Sequence, residues 1–313
     1  MTNQTHASLM QQLAVKHEVL LPLIGNNPVH YLDVPFYGNV GDLLIMQGTL
    51  AFFKKHNIHV IEQAMYFNYS PSLANDKDVI VFQGGGNFGD IYGPFQAFRE
   101  RVISALPNNR IIILPQSIHF EDEHKLAQCC DVFSQHQDLH ICVRDIESEQ
   151  IAKRITKNVY LLPDMAHQLW PIKPSVTPSK ELLYLSRRDQ EAKNNSHLNL
   201  RTFDWADLVG PSWTFFLSQI AERSIYHLHR TGLNRPFVNA QTELWQWQAS
   251  KFIDKAVQLF ADHKQIKSDR LHAHILSCLM SMPNEMLDNS YGKNSRYIKQ
   301  WTIQSPLVTL NNK

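Results

Sequence analysis

Short runs of β-branched and aromatic residues alternate, over the first half of the chain, with longer stretches in which apolar positions recur every three or four residues. The runs at 30–34, 58–61, 79–82, 110–114, 139–143 and 160–162 predict strands, and 43–55, 95–106, 121–135 and 146–153 predict the helices between them. A run as continuously apolar as Val79, Ile80, Val81 and Phe82 suits a parallel strand buried on both faces. Ahead of the first strand, Leu9, Leu13 and Leu20 mark one side of an amphipathic helix over 8–21, which ends at the turn residues Gly25, Asn26, Asn27 and Pro28. Repeated strand–helix units predict an α/β fold built on a doubly wound, Rossmann-like parallel sheet.

The periodicity breaks at Pro171, Pro174 and Pro178. A length of 313 residues accommodates two domains, so the break divides the chain into residues 1–170 and a smaller second domain, 171–313. In the second half the pattern predicts strands at 181–185, 265–267 and 285–287, and helices at 212–229, 241–263 and 295–303. A polar stretch over 190–211, carrying Trp205, reads as a loop.

Candidate chemistry gathers where strands end. Gly38 to Asp42 lie between a strand and a helix, a phosphate-site layout, although the spacings of the dinucleotide and P-loop fingerprints are absent. Gly84, Gly85 and Gly86 follow the most apolar strand, where missing side chains leave room for a ligand. Gln116 and Ser117 lie in a further polar loop, 115–119. Together with Asn39, Asp42, Asn87, Arg144 and Asp164, these residues collect at one sheet edge. In the second half, Ser268 reads as an N-cap and Asp269 as a favourable charge for a helix whose stripe is Leu271, Ile275, Cys278, Leu279 and Met282. Arg270 and His272 then stand beside the unpaired N–H groups of a helix start, a combination suited to a small anion.

Composition narrows the partners. With 30 basic and 29 acidic side chains the net charge is +1, so no global field draws the chain to nucleic acid or an anionic membrane. Cys129, Cys130, Cys142 and Cys278 match neither a disulfide framework nor a zinc spacing. The sequence shows no signal peptide and no apolar run long enough to span a membrane, which predicts a cytoplasmic protein, with peripheral contact at the inner membrane face left open. No metal site is expected: the acidic pair Asp76 and Asp78 precedes its strand and so sits at the edge opposite the ligand loops. The closely spaced histidines His136/His140 and His227/His229 lack carboxylates in a zinc pattern.

Taken in order, the segments 38–42, 83–90, 115–118, 143–148, 162–166, 268–272 and 287–293 resemble the polysaccharide pyruvyl transferase family. The resemblance implies two Rossmann-like domains facing a cleft, as in glycosyltransferase-B enzymes. It implies phosphoenolpyruvate as donor and co-substrate, no other cofactor, and a nucleotide- or lipid-linked sugar as acceptor. It puts the donor against Ser268, Arg270, Leu271, His272 and Lys293, with Arg187 assisting and Arg188 as its alternative. Asn39, Asp42, Gly84, Gly85, Gly86, Asn87, Gln116 and Ser117 fall to the acceptor side. A carboxylate-bearing enol phosphate needs several cationic donors in little space, and ketal formation needs a group that exchanges protons near neutrality, for which His272 is the candidate. Asp42, Asp90 and Asp269 all qualify as base. A glycosyltransferase using a nucleotide sugar, and a sugar-binding protein that has lost its chemistry, are the alternatives.

Overall fold

The computed structural model of the chain describes residues 5–174, 176–186, 203–209, 235–288 and 292–311. Arg187, Arg188, the helix expected over 212–229 and the pair His227/His229 lie outside them.

Two parallel sheets carry the fold. The first has seven strands: β1 (Val29–Leu32), β2 (Val60–Ala64), β3 (Val79–Phe82), β4 (Gly85–Gly89), β5 (Ile111–His119), β6 (Leu139–Val143) and β7 (Val159–Leu161). Its order is β2-β1-β3-β5-β6-β7, with β4 beside β5, and its pairings are parallel. The second sheet, β8 (Lys180–Leu185), β9 (His263–Ser268), β10 (Asn284–Leu287) and β11 (Val308–Asn311), is also parallel, in the order β11-β10-β9-β8. In the first sheet the chain leaves β1 for β2 on one side and returns to β3 on the other. That reversal opens a crevice at the carboxyl ends of β1 and β3, where open α/β sheets bind ligands.

Ten α-helices are described among these residues: α1 (His6–Val15), α2 (Leu20–Ile24), α3 (Val40–Lys55), α4 (Gly93–Ala105), α5 (Glu123–Phe133), α6 (Ile146–Ile155), α7 (Trp205–Val209), α8 (Arg235–Ala261), α9 (Leu271–Leu279) and α10 (Lys293–Trp301). Alternate strand residues feed two apolar clusters, as the period of a strand buried on both faces requires. Ile80, Phe82, Ile111 and Ile113 pack with Phe98, Phe133 and Ile155 of α4, α5 and α6. Val79, Val81, Ile112 and Leu114 face the other way, into a cluster holding α1, α3, α8, α9 and the second sheet. Burying each such side chain contributes about 1.5–3 kcal/mol. One continuous apolar cluster therefore ties the second sheet to the back of the first.

Three local expectations are corrected. The helix expected over 8–21 is α1 and α2 joined by a tighter turn, Lys16–Val19, because the Pro22 ring conflicts with the carbonyl four residues back and cannot sit inside one long helix. The segment 115–119 is not a loop but the end of β5. The glycine run is not an open loop either: it forms β4, which pairs with that end of β5. Gly85 and Gly89 have φ of 131° and 132°, and a side chain on Gly89 would stand 1.7 Å from the His119 carbonyl oxygen. Only glycine lets these backbones come so close.

Candidate active site

A cavity of about 310 Å³ opens at the β1/β3 crevice, lined by Tyr37, Asn39, Asp42, Gly86, Asn87, Tyr92, Phe95, Arg144, Trp205, Arg270, Leu271, His272, Lys293 and Asn294. The first sheet supplies its floor through the loop ahead of α3. The Asn39 side chain accepts from the Gly41 backbone N–H at 3.0 Å and caps α3, which puts Asp42 in the first turn. Burial pushes the Asp42 carboxyl above the usual carboxylate range, against the pull of His272 and Arg144 and of the hydrogen bond from Tyr37.

The second sheet supplies the charged wall. Strand β9 ends at Ser268 and α9 starts at Leu271, with Arg270 as N-cap making no side-chain capping bond. The expected N-cap, Ser268, lies two residues too early. Its hydroxyl donates to the Leu185 carbonyl at 2.7 Å and accepts from the Arg270 N–H at 3.0 Å, so it ties β9 to β8 instead of facing the cavity. All of α9 is buried except His272, which projects into the cavity. His274, on the same helix, is a core residue satisfied by Asn284 at 2.7 Å and Thr302 at 2.8 Å.

His272 meets a carboxylate from the first sheet. Its Nε2 lies 3.3 Å from Oδ2 of Asp164, the same oxygen that accepts from Arg144 Nη1 at 2.5 Å. The other oxygen of Asp164 accepts from the Ala166 N–H at 3.0 Å. Burial alone would raise the Asp164 carboxyl, but His272, Arg144 and the Ala166 N–H outweigh it and hold the group well below the carboxylate range. The ionised carboxylate favours the imidazole tautomer with hydrogen on Nε2, leaving Nδ1 as the basic atom. That ring edge lies against Gly41: a Cβ there would stand 2.5 Å from Nδ1.

The cations are held in place by acids. Arg270 pairs with both oxygens of Asp204, at 2.6 and 2.8 Å, where the chain enters α7. Trp205, expected in a loop, begins α7; it is buried and stacked on Phe260 at 5.8 Å. Arg144 also donates from Nε to the Ser117 hydroxyl at 2.9 Å. Lys293 opens α10 after Gly292, whose left-handed φ of 69° suits glycine. A Cβ on Gly86 would stand 2.7 Å from the Lys293 ammonium nitrogen and 3.3 Å from Nη2 of Arg144, so Gly86 is the glycine of the run that opens onto the cations.

The residues expected to form the site thus separate. Arg270, Leu271, His272, Lys293, Asn39, Asp42, Gly86 and Asn87 line the cavity, whereas Gly84, Gly85, Gln116, Ser117 and Ser268 do not. A side chain on Gly84 would meet the Pro115 carbonyl at 2.8 Å, which is a packing role. Gln116 donates to the Gln83 carbonyl and to Asn87, and Ser117 donates to Asp145 at 2.9 Å, so both brace strand ends. Asn87 is engaged by Asp33, Arg99 and Gln116. Of the three candidate bases, Asp90 accepts from the Glu121 and Asp122 N–H groups and Asp269 from the Ser186 hydroxyl; only Asp42 lines the cavity. Asp78 accepts from His30 at 3.1 Å and from the Asn75 N–H at 2.8 Å. Among the described residues no cluster of three or more His, Cys, Asp or Glu is arranged to hold a metal ion. Sequence reasoning placed Arg144 and Asp164 at the correct edge without a role, and it missed Tyr37, Tyr92, Phe95, Trp205 and Asn294. Tyr37, Tyr92 and Phe95 are aromatic residues in largely apolar segments, which read as core, and nothing local marks them as facing a cavity.

The family profile described as polysaccharide pyruvyl transferase matches residues 39–291, and the chain belongs to that family. It is 39% identical over 285 residues, 90% of this chain and 87% of the other, to the Bacillus subtilis (strain 168) protein named "Putative pyruvyl transferase EpsO". To pyruvyl transferase 1 of Schizosaccharomyces pombe it is 27% identical over 299 residues, covering 88% of this chain and 70% of that one. Its fold is similar to the crystal structure of a functionally uncharacterized Klebsiella pneumoniae protein, KP1_0663, with a TM-score of 0.64 at 20% identity over 96% of this chain and 99% of that one. No helix among the described residues is long and apolar enough to cross a membrane.

Proposed function

We propose that the chain transfers the pyruvyl group of phosphoenolpyruvate to two hydroxyls of a sugar destined for a surface or exopolysaccharide, forming a ketal and releasing phosphate. The observation that carries this reading is the convergence of Arg144, Arg270, Lys293 and His272 on one small cavity in a member of this family. A donor with a carboxylate and a phosphate on three carbons needs such a density of N–H groups, and guanidinium forks match both of its anionic ends. The two sheets would act as the two halves of a glycosyltransferase-B-like enzyme, residues 1–170 presenting the acceptor and 171–313 the donor. A lipid-linked acceptor would bring the enzyme to the inner membrane face without a span.

In this reading His272, oriented by Asp164, delivers a proton from Nδ1 to the enol methylene, which becomes the methyl group. One sugar hydroxyl adds to the central carbon and gives its proton to Asp42, whose raised affinity for protons fits it as base. The second hydroxyl then attacks the same carbon as its bond to the phosphate oxygen breaks. The second hydroxyl's proton leaves on the phosphate, and the proton taken up by Asp42 passes through solvent to recharge Nδ1 of His272, which started the cycle as the imidazolium, so both side chains return to their starting states.

Calorimetric titration of phosphoenolpyruvate into wild type, Arg270→Ala and His272→Ala tests the donor assignment, with nucleotide sugars run in parallel. Binding by wild type that Arg270→Ala weakens supports it. Binding of a nucleotide sugar alone, with phosphoenolpyruvate ignored even beside candidate acceptors, would transfer the assignment to a glycosyltransferase.

A further inference from the structure

The cavity has two chemically different walls. Helices α9 and α10 contribute Arg270, His272 and Lys293, while the loop after β1 and the start of α4 contribute Tyr37, Tyr92 and Phe95. Phe95 is the hub of the aromatic wall. Tyr37 meets it at 5.9 Å and 75°, Tyr92 at 6.5 Å and 81°, and Tyr66 backs it at 4.9 Å and 55°. Edge-to-face contacts of this kind are favourable and fix ring orientation. The cluster nonetheless stays open: Tyr92 is 39% exposed, and Tyr37 and Phe95 are half-buried. Rigid, oriented aromatic rings left open beside a polar cavity are a binding surface, since covering them with an apolar face is favoured by about 25 cal/mol per Å².

An enol phosphate has no apolar face of matching size. A pyranose does: its axial C–H bonds form an apolar face, and its hydroxyls form a polar rim. The polar end of the platform is in place as well, because the Tyr37 hydroxyl bonds to Asp42. On the basis of the pyruvyl transfer reading, we propose that Tyr37, Tyr92 and Phe95 form the acceptor subsite, stacking one face of a pyranose and turning two rim hydroxyls toward Asp42. Acceptor recognition then rests on the aromatic wall. Asn87 and Gln116, the polar residues expected to do this from sequence, are engaged in bracing strand ends.

Saturation-transfer difference NMR with methyl glucopyranosides, galactopyranosides and mannopyranosides tests the subsite on the full chain, with uridine as a competing aromatic ligand and phosphoenolpyruvate titrated separately. Tyr92→Ala removes an exposed ring without opening the core, and Tyr92→Phe restores the stacking face. The expected result is transfer concentrated on the C–H protons of one pyranose face, glycoside affinity about 3- to 10-fold weaker in Tyr92→Ala, recovery in Tyr92→Phe, and unchanged phosphoenolpyruvate binding throughout. Wild type that binds none of the glycosides, Tyr92→Ala that binds them as well as wild type, or Tyr92-dependent binding of uridine alone would each overturn the subsite. Phosphoenolpyruvate binding that survives such a result leaves the donor assignment standing, so the two failures are distinguishable.

Discussion

Oδ2 of Asp164 lies between His272 and Arg144, 3.3 Å from the imidazole Nε2 and 2.5 Å from Nη1 of the guanidinium. One buried carboxylate therefore sets the tautomer of the ring and holds a cation at the back of the cavity. Asp164→Asn keeps the shape and removes the charge. We expect kcat to fall by about 100-fold or more, with the donor KM changed far less, since orientation of the proton-transferring group is lost while most anion donors remain. Nitrogen NMR of the His272 ring should show the Nε2–H tautomer in wild type and a mixture in the variant. An unaltered tautomer would remove Asp164 from this role.

Two glycines at the cavity should respond differently to the same added methyl. In Gly41→Ala the Cβ would crowd His272 at the ring atoms Nδ1 and Cγ and at its Cβ, and the ring cannot yield without leaving Asp164. In Gly86→Ala the nearest atom is the tip of Lys293, which swings aside at little cost. We expect at least a 100-fold loss of kcat for the first and less than 10-fold for the second, with melting temperatures that separate loss of chemistry from loss of fold.

From sequence alone Asp42, Asp90 and Asp269 are equal candidates for the base. Asp42 lines the cavity and Asp90 receives two backbone N–H groups at the start of α5. Asp42→Asn should lower kcat by roughly 10²- to 10⁴-fold, and Asp90→Asn should leave it within about 3-fold while lowering the melting temperature slightly. The reverse ranking would exclude Asp42 as base.

Two buried histidines predict how stability follows pH. Burial pushes His167 down to about 3 and His274 down to about 4. In the unfolded chain both titrate near 6.5, so below that pH the unfolded state binds more protons than the folded one. Stability from these groups should be level above about pH 6.5 and fall as pH drops toward 4, by up to about 1.4 kcal/mol per pH unit for each histidine. Melting temperatures across pH 8 to 4.5 measure this, and His274→Gln should flatten the decline. A profile that rises on acidification would contradict it.

The strands and helices of the first sheet were readable because their causes are local. Val79 to Phe82 are buried on both faces and so are apolar throughout, Leu139 to Val143 are apolar but for His140, and the structure places β3 and β6 there. The charged helix start was readable for the same reason, since Arg270 and His272 stand next to an apolar helical stripe. Expectations failed where the cause was a distant neighbour. The glycine run looks like an open loop until β5 lies beside it, and Ser268 looks like a cap until β8 supplies the carbonyl it binds.

What the sequence determined by itself was the alternating α/β pattern, the family, and which residue types could hold an anion. Only the tertiary structure decided which acid meets which base. Asp164 is 108 positions from His272, and Asp204 is 66 from Arg270. No local periodicity relates such residues. Sheet order and helix placement bring them together, and once buried each charge requires its partner.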